Sequence, residues 1–187
     1  PFRLAFEILY YTGMREGELL ALTPSDILDD CRIVINKNYA VVHNVEYILT
    51  PKTRKSERIV SIPQFLYDDI QTYLSDRAYL QPEDRLFYFR KNTLINEFKK
   101  ITEEAGLPRI RVHDLRHSHI SLLASMNVPI AVVSDRVGHE STQMTLGVYS
   151  HVYGDQAQQL AGKLEDLHNA SEREEKGPTD GSENVAQ

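Results

Sequence analysis

The stretch Arg111-Val112-His113-Asp114-Leu115-Arg116-His117-Ser118-His119 is the most informative part of this sequence. Two shorter segments follow it, Gly138-His139-Glu140 and Tyr149-Ser150-His151. An earlier segment, Thr12-Gly13-Met14-Arg15-Glu16-Gly17-Glu18-Leu19, contributes a further arginine. Because these segments lie beside short helical patterns, we expect their arginine, histidine and tyrosine side chains to serve one shared polar site.

The bulk composition is that of one ordinary globular domain. The 187 residues are 41% apolar and 26% charged, which suffices for a sizeable core. No apolar run approaches the roughly 20 residues of a membrane span, and the opening Pro1-Phe2-Arg3-Leu4 lacks the features of a secretory signal. The single cysteine, Cys31, excludes an internal disulfide framework and suits a reducing compartment. We therefore expect a cytoplasmic protein.

The net charge of −6 argues against a nucleic-acid partner at face value. Half of it comes from residues 171–187, where five acidic side chains outnumber two basic ones. Basic residues cluster elsewhere, in 52–58 and 111–119. Phosphate contacts are local, so a basic groove can lie on an acidic body. Charge alone leaves DNA binding undecided.

Hydrophobic periodicity predicts a mostly α protein with a small antiparallel β-sheet. Helical patterns cover the opening residues, 19–22, 65–80, 94–105, 113–126, 129–137 and 141–149, and a last helix capped by Asp155 reaches 167. Segments 32–36, 39–43, 45–49 and 58–62 suit strands, with 52–57 as a polar loop. The chain opens inside a helical pattern without methionine, so we expect a fragment. Residues 171–187 are predicted to be a disordered acidic tail.

The candidate site residues suit the chemistry of a phosphodiester. His113 and Arg116 are three apart and share a helix face, and Arg15 offers a second planar, permanently charged fork for phosphate oxygens. Preorganised donors there stabilise the charge that builds in a five-coordinate transition state. Lys52 could protonate the departing 5′ oxygen, and Tyr149 could attack phosphorus to give a covalent phosphotyrosine.

Structural interpretations compete with each of these assignments. Arg15 alone would ordinarily be a surface residue paired with Glu16 or Glu18, and a helical tyrosine such as Tyr149 is ordinarily core. The basic residues from Lys52 onward would ordinarily form a solvated loop.

A metal site is a further alternative, because His113, His117 and His119 form an H-x3-H-x-H pattern and His139 could join them. His119 points away from the other two on a helix, however, and no cysteine or carboxylate pair completes the set. We therefore expect neither a metal nor another cofactor.

Five motifs in this order resemble the catalytic domain of the tyrosine recombinase (phage integrase) family, over residues 2 to 168. The matching segments are Thr12-Gly13-Met14-Arg15-Glu16-Gly17-Glu18-Leu19-Leu20-Ala21-Leu22, Lys52-Thr53-Arg54-Lys55-Ser56-Glu57-Arg58-Ile59-Val60-Ser61-Ile62-Pro63, His113-Asp114-Leu115-Arg116-His117, Val137-Gly138-His139 and Thr145-Leu146-Gly147-Val148-Tyr149-Ser150-His151. The valine at 137 replaces the family's usual leucine. Several ordered motifs are far more specific than any single one.

The resemblance implies a role for each matched residue. Arg15, Arg116 and His139 would bind and polarise the phosphate, and His113 would assist both proton transfer and phosphate binding. Lys52 would be the general acid, with Arg54 and Lys55 as rivals for that role. Tyr149 would be the nucleophile, with Tyr153 as its nearest rival, and Glu18 would support the first arginine structurally.

The resemblance also implies an activity and partners. Such enzymes cleave and rejoin DNA strands through a 3′-phosphotyrosine, without metal or ATP, as a homotetramer on two double-stranded attachment sites. Excisionase or DNA-bending proteins are further expected partners in a prokaryotic cytoplasm. The catalytic domain would comprise 1–170, preceded in the family by other DNA-binding domains. Alternatives are a catalytically silent DNA-binding relative, an Xer-like resolvase and a type IB topoisomerase.

Overall fold

The fold was analysed in a computed structural model that describes residues 1–50, 56–139 and 141–153, and within 154–187 only 160, 162, 164–167 and 169. The chain forms two compact units, Pro1–Tyr149 and Ser150–Gln187. In the second unit the described residues are helical, and the leucines at 160, 164 and 167 are exposed. The predicted N-cap Asp155 and the predicted disordered tail lie outside the described residues.

Seven α-helices and five strands make up the described elements. The helices are α1 Phe2–Thr12, α2 Glu16–Ala21, α3 Gln64–Ser75, α4 Lys91–Glu104, α5 Asp114–Ser125, α6 Ile130–Val137 and α7 Thr142–Tyr153. The strands are β1 Ile27–Leu28, β2 Arg32–Ile35, β3 Asn38–Val42, β4 Val45–Leu49 and β5 Arg58–Ser61. A 3₁₀ turn at Pro24–Asp26 precedes β1. This architecture confirms the predicted class, mostly α with a little antiparallel β structure.

The prediction of a single sheet is wrong, because the strands form two separate sheets. Strands β1, β2 and β5 pair antiparallel in that order, with Ile33 opposite Val60. Strands β3 and β4 form a separate hairpin. Tyr39 of β3 packs against Leu20 and Ala21 of α2. The hairpin therefore lies against α2 and does not extend the first sheet. The short strand β1 was not predicted from the sequence.

The hairpin turn is encoded by two residues with left-handed backbone. His43 and Asn44 have φ of 49° and 64°. Two consecutive positive φ angles are typical of the tight turn whose twist matches that of antiparallel strands. The turn therefore sets the pairing of Val42 with Val45.

Several helix ends differ from the predicted ones. Helix α3 ends at Ser75, five residues before the predicted end. Arg77 lies over the ring of Tyr73 at 3.8 Å, and the N–H of Leu80 bonds to the carbonyl of Arg77, so the chain turns here instead of continuing the helix. Helix α7, by contrast, extends four residues beyond its predicted end, to Tyr153.

The main core lies between α1, the three-stranded sheet and helices α3 and α4. Its buried members include Ile8 and Leu9 of α1, Ile33 of β2, Leu66 of α3 and Leu94 of α4. Helix α1 also packs along α5. The core thus fixes the end of α1, where the first arginine motif begins, against the helix that carries the second motif.

Within the described part of the chain, no helix combines the length and apolar character that crossing a membrane requires.

Candidate active site

Arg15 begins helix α2 and is held by a carboxylate of the same helix. It is the N-cap of α2, and its backbone N–H donates to Glu18 Oε2 at 2.7 Å. Its Nη1 donates to Glu18 Oε1 at 2.9 Å, so Glu18 orients both the backbone and the guanidinium. Nη2 reaches the carbonyl of Gly138 at 3.2 Å, 123 residues away in sequence. The Arg15 side chain is still 37% exposed, which leaves it accessible to a ligand.

Arg58, on β5, is a second cation on the same carboxylate. Its Nη2 donates to Glu18 Oε2 at 2.8 Å and its Nη1 to Oε1 at 3.2 Å, in a buried pair. Burial by itself raises the pKa of Glu18, but the hydrogen bonds and charges of Arg58 and Arg15 outweigh it and hold the pKa below its usual range. Glu18 is therefore an ionised anchor for two arginines.

Arg58 also joins the strand to the last turn of α6, because its Nε donates to the carbonyl of Arg136 at 2.7 Å. Replacing Arg58 with alanine should lower the free energy of unfolding by about 3 kcal/mol, since it breaks a buried ion pair and frees a backbone carbonyl. Urea unfolding measures this loss. The matched control Arg3→Ala removes an exposed pair with Glu7 and should leave the urea midpoint unchanged. Equal midpoints for Arg58→Ala and the wild type would contradict the prediction.

Arg116 lies in the first turn of α5 and is almost completely buried. Its Nη1 donates to the carbonyl of Gly13 at 2.7 Å. Its Nη2 is buried and has no hydrogen-bond partner among the described residues. Burial and the nearby charge of Arg15 lower the pKa of Arg116 to about 9, while Glu18 acts in the opposite direction. The group remains charged at neutral pH, with a donor available for an anion.

Gly13 permits this contact through its backbone conformation. It ends α1 with φ of 66°, in the left-handed region. A Cβ at this position would lie 2.6 Å from the Cδ2 atom of His119 and 3.0 Å from a methyl carbon of Val137. Glycine is therefore required here both by the backbone angle and by the close approach of α5 and α6.

Gly13→Ala should lower the free energy of unfolding by about 3 kcal/mol, since it adds overpacking to left-handed strain. Gly106→Ala is the matched control, because Gly106 has φ of 65° but no atom within 4 Å of an added Cβ. It should cost only the conformational part, about 1 kcal/mol. Thermal or urea unfolding of both variants measures the difference. Similar losses in the two variants would mean that the packing around Gly13 can relax.

His139 follows the C-terminal end of α6 and is largely buried. Its Nδ1 lies 2.8 Å from the Oγ1 atom of Thr145, a fully buried residue of α7. Burial and then the charges of Arg116 and Arg15 lower the pKa of His139 to about 4. The imidazole is therefore neutral at neutral pH and carries one ring proton.

His113 lies directly before α5, half-buried and three residues from Arg116 as the motif requires. Its ring meets that of His117 edge-on, with centroids 5.2 Å apart. Burial, His117 and Arg116 lower the pKa of His113. A neutral imidazole at this position can both donate and accept a proton.

His119 occupies different surroundings from His113 and His117, as the helical spacing predicts. It is buried, and its Nε2 accepts a hydrogen bond from Nε of Arg136 at 3.1 Å. Nη2 of Arg136 donates to the carbonyls of Tyr11 and Ser61. Burial and the Arg136 charge lower the pKa of His119 to about 4. His119 thus belongs to the packing between α1, α5 and α6, which weakens the metal interpretation of the histidine pattern.

Tyr149 is fully buried on α7, and its hydroxyl donates to the carbonyl of Val128 at 2.7 Å. Thr145, which contacts His139, lies four residues earlier on the same face of α7, about 6 Å along the helix axis. Tyr149 is therefore placed one helical turn from the contact that joins α7 to the arginine site.

The lysine candidates Lys52, Arg54 and Lys55 lie outside the described residues. The described chain resumes at Ser56, whose carbonyl accepts a hydrogen bond from Arg58 Nη1 at 3.1 Å. The structure thus assembles Arg15, Arg116 and His139 around the backbone of Gly13 and Gly138.

Arg58, Arg136 and Thr145 are site contacts that inspection of the sequence missed. Arg58 and Thr145 lie within motifs that match the family, and this was the signal in the sequence that could have identified them as site residues. Arg15, Arg58 and Arg116 meet around Glu18, which places a cationic cluster in a protein of net charge −6. The local field is positive despite the acidic whole.

Comparison with known proteins identifies the family of the chain. The family model described as the phage integrase family matches residues 1–156. The chain belongs to the phage integrase family.

Among curated proteins, the chain is 30% identical over 180 residues to the ICEBs1 integrase of Bacillus subtilis (strain 168), covering 89% of this chain and 49% of that protein. It is 32% identical over 184 residues to the integrase of Staphylococcus phage L54a, covering 87% and 51%. The chain thus spans about half the length of these relatives.

Two solved structures show the same fold with DNA. The Tn1549 transposon integrase in complex with transposon right end DNA aligns with a TM-score of 0.70 at 26% identity, over 86% of this chain and 58% of that chain. The XerH site-specific recombinase bound to palindromic difH substrate, in a post-cleavage complex, aligns with a TM-score of 0.64 at 25% identity, over 88% and 46%.

Proposed function

We propose that this chain is the catalytic domain of a site-specific DNA recombinase of the integrase or excision type. It cleaves and rejoins DNA strands through a covalent 3′-phosphotyrosine, without metal or ATP. The observation that carries the proposal is the arginine cluster: beside Arg15 and the neutral His139, Arg116 presents a buried N–H that has no hydrogen-bond partner among the described residues. Two guanidinium groups that converge in this way, one buried and one partly exposed, suit a phosphate oxygen.

The phosphate is bound by Arg15 and Arg116 from two sides. Glu18, itself paired with Arg58, holds Arg15 in place, and the carbonyl of Gly13 holds Arg116. The donors therefore need no rearrangement when charge develops on the non-bridging oxygens. Preorganisation of this kind stabilises the transition state more than the ground state. His139 adds a third donor to the same oxygens.

The nucleophile is the hydroxyl oxygen of Tyr149, which forms the new bond to phosphorus as the bond to the 5′ oxygen breaks. The departing 5′ oxygen receives its proton from Lys52, and His113 assists in removing the tyrosine proton. In the described conformation that proton is directed at Val128. Attack therefore requires Tyr149 to exchange the Val128 carbonyl for the phosphate, through a movement of its part of α7.

The substrate is double-stranded DNA at attachment sites, and the assembly is a homotetramer with an excisionase or DNA-bending protein as accessory factor. The DNA complexes of the Tn1549 integrase and XerH support the choice of DNA. The resemblance to integrases of mobile elements favours integration or excision over resolution of chromosome dimers.

Covalent trapping on nicked suicide duplexes tests the proposal. The duplexes cover the DNA that flanks the gene for this chain, and the label is on the strand that becomes 3′-linked. The full gene product should acquire label that resists SDS and maps to the Tyr149 peptide. Binding to these duplexes with no adduct on any of them would overturn the enzymatic proposal and favour a silent DNA-binding relative.

A further inference from the structure

The contact between His139 and Thr145 joins the phosphate-binding residues to the helix of the proposed nucleophile. Nδ1 of His139 lies 2.8 Å from Oγ1 of Thr145, and both residues are buried. The backbone N–H of His139 is also fixed, by a 3.0 Å hydrogen bond to the carbonyl of Ser134. The ring is therefore held at Nδ1 and the backbone at its N–H, while Nε2 makes no hydrogen bond to the residues that the structure describes.

We propose that Thr145 is a positioning residue that donates its hydroxyl proton to Nδ1 of His139 and so keeps the ring proton on Nε2. His139 then presents an N–H to the phosphate. This inference rests on the proposed function, in which His139 is a phosphate donor.

The choice of tautomer matters because a neutral imidazole has one donor and one acceptor. Burial and the neighbouring arginines keep the pKa of His139 at about 4, so the ring carries one proton at neutral pH. With that proton on Nδ1, the Nε2 lone pair would face the phosphate oxygens and repel them. A hydroxyl can donate to Nδ1 or accept from it, and only donation leaves Nε2 protonated.

Thr145 also connects His139 to the helix that carries the proposed nucleophile. Thr145 and Tyr149 are four residues apart on α7 and share one face of the helix. Helix α7 therefore carries both the proposed nucleophile and the hydroxyl that determines which ring nitrogen of His139 is protonated. A displacement of the first half of α7 away from the site would remove the hydroxyl from Nδ1.

Thr145→Val tests the proposal, because valine keeps the shape of the buried side chain and removes the hydroxyl. Adduct formation should slow about tenfold, the lower end of the loss that follows when the partner orienting a metal-bound histidine is removed. Thr145→Ser restores a hydroxyl and should recover a rate within about threefold of the wild type. The matched control is Thr102→Val, since Thr102 is a buried helical threonine whose hydroxyl bonds to its own helix, away from the site. It should cleave at the wild-type rate.

The tautomer is measured separately, by two-bond nitrogen–proton NMR on protein with ¹⁵N-labelled histidine and no DNA. The His139 signals are assigned by their loss in His139→Gln. We expect a protonated Nε2 in the wild type, Thr145→Ser and Thr102→Val, and a shift toward protonated Nδ1 in Thr145→Val. A wild-type His139 protonated on Nδ1 would overturn the inference, and so would a Thr145→Val variant with unchanged tautomer and rate. If the wild type binds the duplexes and forms no adduct, the proposed function fails while the NMR result still decides the role of Thr145.

Discussion

Tyr149→Phe is expected to abolish covalent attachment to DNA completely. The substitution removes the only oxygen of this side chain, and no bond to phosphorus can form without it. The fold should survive, because the buried ring is retained while the hydrogen bond to Val128 is lost. A neutral hydrogen bond of this kind contributes about 1 kcal/mol to the free energy of unfolding.

The measurement compares labelled adducts of the wild type, Tyr149→Phe and Tyr153→Phe on the same suicide duplex. Tyr153 is the nearby rival in the sequence, and its phenylalanine variant should retain the adduct. Circular dichroism and DNA binding of Tyr149→Phe confirm that the variant is folded. An adduct that persists in Tyr149→Phe, or disappears in Tyr153→Phe alone, would transfer the nucleophile to another residue.

Arg116→Lys is expected to slow cleavage by about 10² to 10³, the loss typical of removing one preorganised donor from a developing oxyanion. Lysine keeps the positive charge but loses the planar fork. It cannot bond to the carbonyl of Gly13 and at the same time present a second N–H in the direction of Arg116 Nη2. The loss should lie in the chemical step, with DNA affinity nearly unchanged.

Single-turnover cleavage at saturating protein separates the chemical step from binding. The matched control is Arg111→Lys, five residues earlier, where an exposed arginine pairs with Asp114 at the start of α5. This variant should cleave within about threefold of the wild type, because an exposed ion pair contributes little. If Arg116→Lys cleaved as fast as Arg111→Lys, the charge alone would suffice and the geometric argument for Arg116 would fail.

In the proposed mechanism, the hydrogen bond from Tyr149 to Val128 means that the phosphate-binding residues are already assembled while the nucleophile is not yet in position to attack. The arginines are in place around Glu18 and Gly13, while the phenolic proton is directed at a carbonyl that cannot act as a base. Binding energy from DNA must therefore offset the loss of this hydrogen bond before attack. In the proposed mechanism, the strand exchange step begins with a local change in α7.

The sequence by itself determined the class of fold and the family. Short amphipathic helices, the Val- and Ile-rich strands and the five ordered motifs are local patterns, and each depends on residues within about one to three turns of one another. The predicted family was confirmed by the match over residues 1–156. The roles of Arg15, His113, Arg116, His139, Tyr149 and Lys52 stay predictions until the variants are measured.

Only the tertiary structure decided how these motifs meet. The contacts of Arg15 with Gly138 and of Arg116 with Gly13 join residues more than 100 positions apart, and that of Arg58 with Glu18 spans 40. No periodicity encodes such pairs, because they depend on how α1, α5 and α6 pack around one left-handed glycine. The division of the strands into two sheets has the same origin, since Tyr39 packs on α2 instead of extending the first sheet. The local sequence pattern determines which helices and strands form, and tertiary packing determines which of them contact one another.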